Sequence, residues 1–170
     1  MATLLILPIN CWIPDGNVEV DAGDVSATME YAVGRYFYAF DTTEEEAILT
    51  SSLIMPSAYT GSGLFAKIQF FMATATSSNV VWDVSVEAVT PDTDTLDLEA
   101  SKSWDSVNSG TAAVPGTAGD LSDVSITLTN ADSIAVGDYF RLHIRRDCDH
   151  ASDAAAGDAC LICVEIGDDG

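Results

Sequence analysis

Basic side chains are nearly missing from this chain. Six Lys or Arg residues and two His stand against 27 Asp or Glu, for a formal net charge of −21. Such a surface repels DNA and anionic membranes, which excludes nucleic acid and membrane as partners. Any self-association needs charge-complementary patches, divalent cations or high ionic strength. Long apolar runs are missing too, and none approaches the length of a membrane span. Leu4-Leu5-Ile6-Leu7 is too short for a signal-peptide core, no basic residue precedes it, and Pro8 comes directly after it. The expectation is a protein that folds in the cytoplasm where it is made. No nucleophile elbow, phosphate loop or HExxH motif occurs, and carboxylate pairs are inevitable at this acidity. The chain reads as a binding protein and not as an enzyme.

What is present points to strands. Apolar residues make up 48% of the 170 positions, so the charge does not imply disorder. Thr, Val and Ser are abundant and turn residues recur at short intervals, which favours one all-β domain. Val80, Trp82, Val84, Val86 and Ala88 alternate with Asp83, Ser85 and Glu87, a strand with a core side and a solvent side. Leu64, Ala66, Ile68, Phe70 and Met72 alternate with partly apolar residues, as in a central strand. Tyr36–Phe40, 47–55, 99–104, 124–129, 139–146 and 159–166 are further strand candidates, and 106–119 reads as a long loop. Thr43 and Glu46 have capping-box spacing, so a helical turn fits there. The expected fold is an all-β jelly-roll sandwich of about eight strands over 35–170. Residues 1–34 read as an extended N-terminal arm that packs on a neighbour, with a first strand of the same sandwich as the alternative.

Three of the six Lys and Arg residues fall in Tyr139–Arg146. Phe140, Leu142 and Ile144 point one way there, and Arg141, His143 and Arg145 point the other. This cationic stripe is the most specific feature of the sequence. It is expected to make local salt bridges with acidic neighbouring strands, to form an interface with the anionic surface of another copy or scaffold, or both. The loop after it carries Asp147, Asp149, Asp153 and Asp158, oxygen ligands for a speculative calcium ion, without the EF-hand pattern. Cys160-Leu161-Ile162-Cys163 has CxxC spacing. In a regular strand its two thiols point to opposite faces, which argues against zinc, and an apolar strand lacks the helix N-terminus that a redox CxxC wants. A Cys148–Cys160 bridge depends on geometry.

Phe40-Asp41-Thr42-Thr43-Glu44-Glu45, Asn79-Val80-Val81-Trp82-Asp83-Val84, Val114-Pro115-Gly116-Thr117 and Gly137–Asp147 occur in that order. Across residues 36–166 this resembles the jelly-roll head decoration (cement) proteins of tailed bacteriophages. The resemblance implies a virion structural protein, made in the host cytoplasm, that sits as a homotrimer on the outer capsid surface. It would clamp the major capsid protein and stabilise the head, with no catalytic residues and no cofactor beyond the possible calcium. The alternative is a receptor- or carbohydrate-binding module of a phage tail or fibre. Exposed aromatics clustered at a loop end, drawn from Tyr31, Tyr36, Tyr59 or Trp104, would favour that alternative.

Overall fold

The computed structural model describes residues 2–14 and 25–170. In chain order these form β1 (Ala2–Pro8), a 3-10 turn (Ile9–Cys11), β2 (Trp12–Pro14), β3 (Val25–Ser26), β4 (Thr28–Ala32), β5 (Arg35–Phe40), β6 (Glu46–Thr50) and β7 (Leu53–Ile54). They continue with β8 (Leu64–Met72), β9 (Asn79–Val89), β10 (Asn108–Ala113), β11 (Leu121–Thr127), β12 (Tyr139–Arg146) and β13 (Ala159–Asp168). Sheet A runs β11-β8-β13-β5-β4, with β1 also on β13. Sheet B runs β10-β9-β12-β6-β2, with β3 on β6 and β7 on β12. Apart from the short parallel β3–β6 pairing, neighbours are antiparallel. The result is a jelly-roll β-sandwich.

Alternation of residue type produces the core. Val80, Trp82, Val84, Val86 and Ala88 of β9 pack against Leu64, Ala66, Ile68, Phe70 and Met72 of β8 within one buried cluster. Trp82 sits at its centre, edge-on to Phe40 (ring centroids 4.9 Å apart) and Phe70 (5.6 Å). Phe140, Leu142 and Ile144 of β12 join the same cluster. Burial of such side chains is worth about 1.5–3 kcal/mol each.

Several expectations change on contact with the backbone. Residues 99–104 are not a strand. The pairing partner of β9 is instead β10, inside the expected 106–119 loop, where small residues hide the strand signal. Its Gly110 allows close packing, because a Cβ there would lie 2.5 Å from Ile126 Cγ1. The 47–55 run breaks at Ser51 and Ser52 into β6 and β7. No helical turn forms at Thr43. The Asp41 carboxylate accepts from the Thr43 backbone and hydroxyl (2.6 Å each), and Glu46 Oε2 accepts from Asp41 N (2.6 Å), so Glu46 opens a strand. These side-chain bonds offer the backbone a turn in place of a helix. The segment before residue 35 lies along both sheets where it is described. Leu7 and Trp12 are buried in the core, and the Tyr38 hydroxyl donates to Trp12 O (3.3 Å). Residues 15–24 of that expected arm lie outside the described residues.

The last strand is irregular at one point. Between Leu161 and Cys163 the β13–β8 register shifts, a β-bulge. Before it, Ala159–Leu161 pair with β5; after it, Cys163 onward pairs with β1. The β4–β5 hairpin is therefore held by sheet A only at its base, and its far half projects.

Candidate functional site

The cationic stripe lies on the outer face of sheet B, and its charges are taken up within the chain. Register sets Arg141 beside Glu87, His143 beside Ser85 and Arg145 beside Asp83. Arg141 Nε donates to Glu87 Oε2 (2.7 Å), and its Nη2 pairs with the same oxygen. Arg145 holds Asp83 Oδ2 through Nε (3.1 Å) and Nη2 (3.0 Å), and reaches Glu45 through Nη1 (3.3 Å). Asp83 also accepts from the Ser109 hydroxyl (2.6 Å). The local ion pairs expected of the stripe are present.

Alternation alone assigns this face to solvent, yet Asp83, Ser85, Glu87 and His143 are at most 3% exposed. Part of the cover comes from the 90–107 connection, folded back over the strands. Ser103 N donates to Glu87 Oε1 (2.7 Å) and Asp105 N to Val86 O (2.9 Å). The Trp104 ring lies 5.0 Å from the Arg141 guanidinium carbon and 5.9 Å from the His143 ring. That cation–π contact adds to the hold of the loop on the sheet. Where the loop meets the 132–133 turn, carboxylates crowd. Burial raises the Asp132 carboxyl above the usual range, with the charges of Asp105, Glu87 and Asp94 adding to it.

Arg146 is absent from the sequence-based candidates, although it continues the inward alternation of Phe140, Leu142 and Ile144. It is fully buried at the end of the core and forks onto Asp153, Nε to Oδ2 (3.0 Å) and Nη2 to Oδ1 (2.8 Å). It also donates to Ala155 O (2.7 Å) and Gly157 O (2.8 Å), so one guanidinium organises the loop before β13. Asp153 Oδ2 further accepts from Val81 N (2.9 Å). Asp153 is thus a structural partner of Arg146. The calcium expectation for Asp147, Asp149, Asp153 and Asp158 finds no geometry to support it. Among the described residues no group of three or more His, Cys, Asp or Glu could hold a metal ion.

The cysteine reading is corrected by the bulge. Cys160 pairs with Phe71 and Cys163 with Gln69, and both partners point away from the core, so the extra residue puts both thiols on the outer face of sheet A. All four cysteines are free, including Cys148 and Cys160. Burial, with Asp158 behind it, pushes the Cys160 thiol up to about 12, and burial with Asp149 pushes Cys148 up to about 11. Neither is a poised thiolate.

The projecting hairpin carries the exposed aromatic residues. Ala32 pairs with Arg35 across a two-residue turn, Val33 (φ 50°) and Gly34 (φ 80°). Two left-handed residues make the turn type that matches strand twist. A β-branched Val in that conformation costs about 1–2 kcal/mol, and it is 90% exposed. Behind it Tyr31 and Tyr36 face each other across the hairpin, ring centroids 4.8 Å apart and planes 48° apart. They are 62% and 54% exposed, with Met29 alongside at 54%. Tyr36 shares its side of β5 with the core residues Tyr38 and Phe40, but lies beyond the edge of the core cluster. Of the four aromatics named from sequence, these two cluster. Tyr59 is buried, its phenol pushed up by burial and by Asp168, and Trp104 lies over Arg141.

No protein-family model matches the chain, and no curated protein matches it in sequence. Among solved structures it is similar to the N-terminal CBM22-1–GH10 modules of Clostridium thermocellum endo-1,4-beta-D-xylanase 10B, complexed with xylohexaose. There the TM-score is 0.47 at 13% identity, over 100% of this chain and 28% of that one. A second likeness is to CBM28, a carbohydrate-binding module specific for non-crystalline cellulose, with TM-score 0.43 and 11% identity over 94% of this chain and 86% of that one. The chain spans about a quarter of the first of these proteins. Likenesses at this level carry no functional argument.

Proposed function

We propose that this protein is a non-catalytic binding module whose recognition element is the β4–β5 hairpin, and that its ligand is a carbohydrate. The observation that carries the reading is the Tyr31–Tyr36 pair. Two rigid amphipathic rings stand exposed on a projecting hairpin, their planes inclined to form a ledge. Aromatic faces stack on the C–H faces of sugars while phenol hydroxyls reach ring hydroxyls. The net charge of −21 opposes polyanionic glycans, so uncharged polysaccharides are the expected class. The decoration-protein reading, a homotrimer on a major capsid protein at the outer virion surface, has the jelly-roll fold in its favour. The stripe that would serve as its docking surface, however, has Glu87, Asp83 and Glu45 as partners within the chain.

Affinity electrophoresis through gels cast with neutral polysaccharides tests the proposal. At least one polysaccharide should retard the protein, and a Tyr31→Ala/Tyr36→Ala variant should run free of retardation with an unchanged circular dichroism spectrum. Equal retardation of the variant, or none for the parent across cellulosic, xylan, mannan and glucan gels, overturns it.

A further inference from the structure

The β4–β5 hairpin has an unguarded edge. Sheet A ends at β4, and all five residues of that strand are exposed. Natural edges are blunted by Pro, Lys, a bulge or a cover, because a row of open N–H and C=O groups templates pairing with another chain. β4 contains neither Pro nor Lys, and its register with β5 runs unbroken from Thr28 opposite Ala39 to Ala32 opposite Arg35.

The turn fixes which backbone groups are open. Val33 and Gly34 are both left-handed, so Ala32 and Arg35 close the hairpin as a hydrogen-bonded pair. Bonded and non-bonded pairs alternate from there, which leaves Met29 and Tyr31 in non-bonded pairs with Tyr38 and Tyr36. Their backbone N–H and C=O groups therefore point away from β5, toward the open edge. Among the described residues no backbone hydrogen bond reaches them.

Charge and alternation select what fits. A second copy of this chain carries the same charge of −21 and is repelled, whereas a basic segment is drawn in. Glu30 is exposed between the two open residues and points to the opposite flank. It makes no ion pair among the described residues. Arg35 stands on the far strand of the hairpin, opposite Ala32. An added antiparallel strand sets apolar side chains beside Met29 (54% exposed) and Tyr31 (62%), and a Lys or Arg beside Glu30.

We propose that the edge of β4 takes up an extended segment of another protein as an added antiparallel strand, and that this segment alternates Lys or Arg with apolar residues. Main-chain bonds at Met29 and Tyr31 supply the hold, and Glu30 sets the register. The inference stands apart from the carbohydrate reading, because it uses backbone groups at the edge and not the tyrosine ring faces.

Fluorescence anisotropy at low salt, with a short labelled peptide alternating valine and lysine, tests this. In the proposed register the valine N–H groups face β4 and the lysine N–H groups face away. Methylating the valine amides should raise the dissociation constant at least about tenfold, and methylating the lysine amides should leave it within about twofold. A peptide alternating valine and glutamate should not bind. Glu30→Lys and Met29→Pro should each weaken binding at least about tenfold. The Met29 N–H takes no part in the β4–β5 ladder, so Pro there spares the hairpin, which circular dichroism verifies. No binding at about 1 mM peptide overturns the proposal. So does equal binding of the two methylated peptides, which would mean attraction of charge alone. Indifference to Met29→Pro, or binding of the valine–glutamate peptide, overturns it as well.

Discussion

The two sheets of this sandwich treat their outer faces in opposite ways. Sheet B carries Asp83, Glu87, Arg141, His143 and Arg145 outward, the residue types that suit water, and then lays Trp104 and the 90–107 connection over Glu87, Arg141 and His143. Sheet A carries Phe37, Phe71, Ile162 and Leu121 outward and covers them unevenly, with Phe37 buried, Phe71 and Ile162 half-buried and Leu121 exposed. The polar face is finished within one chain, because its arginines find carboxylates a strand away. The apolar face is closed over Phe37, Ala39 and Cys160 and left open at its β11 edge, where Leu121 is exposed. Side-chain polarity alone would have assigned the two roles the other way round.

The comparison breaks most visibly if the covered face loses a charge. Arg145→Met leaves Asp83 buried beside the Ser109 hydroxyl without its ion pair, and should cost about 3–5 kcal/mol in urea unfolding. Adding Asp83→Leu should recover most of that loss, since an apolar pair of similar volume replaces a buried salt bridge at little cost.

A smaller effect comes from the crowded carboxylates where the covering loop meets the 132–133 turn. Asp132 holds its proton to higher pH in the folded than in the unfolded chain, so its contribution to stability falls as pH rises through that window. Burial raises Glu46 in the same sense. Melting temperature should therefore rise as pH is lowered from neutral toward the upper carboxylate range. Asp132→Asn keeps an oxygen for the Ala88 N–H and tolerates the left-handed backbone (φ 51°). It should raise the melting temperature at neutral pH, with the gain vanishing in acid.

The smallest effect is expected at the exposed edge of sheet A. Leu121→Thr should change monomer stability by no more than about 0.5 kcal/mol, because that side chain is already mostly in water. A large loss would mean that Leu121 is part of the packed structure, and the contrast between the faces would collapse.

The core is readable from alternation alone. In β9 and β12 every residue assigned inward is inward, because period-two patterning is a local property. What is not readable depends on distant chain. Nothing in Asp83-Val84-Ser85-Val86-Glu87 announces that Ser103 and Trp104 return over it. Small residues in β10 hide a strand that exists because β9 has a free side to pair with. Arg146 is within reach of the same reasoning, since carrying the alternation of β12 one step further places it inside. Tyr31 and Tyr36 stand out as aromatics, but their pairing depends on a turn whose first residue, Val33, is among the least expected at a left-handed position.

The bulge between Leu161 and Cys163 acts as a frameshift written into protein. Ala159 and Leu161 face the core in odd phase, Val164 and Ile166 in even phase, and Ile162 is the inserted character that lets both halves be read correctly. Deleting it would turn one half of the last strand inside out. The same residue also marks where β13 changes neighbours from β5 to β1. A single-residue phase error thus sets both the reading frame of the core and the point at which the aromatic hairpin is released.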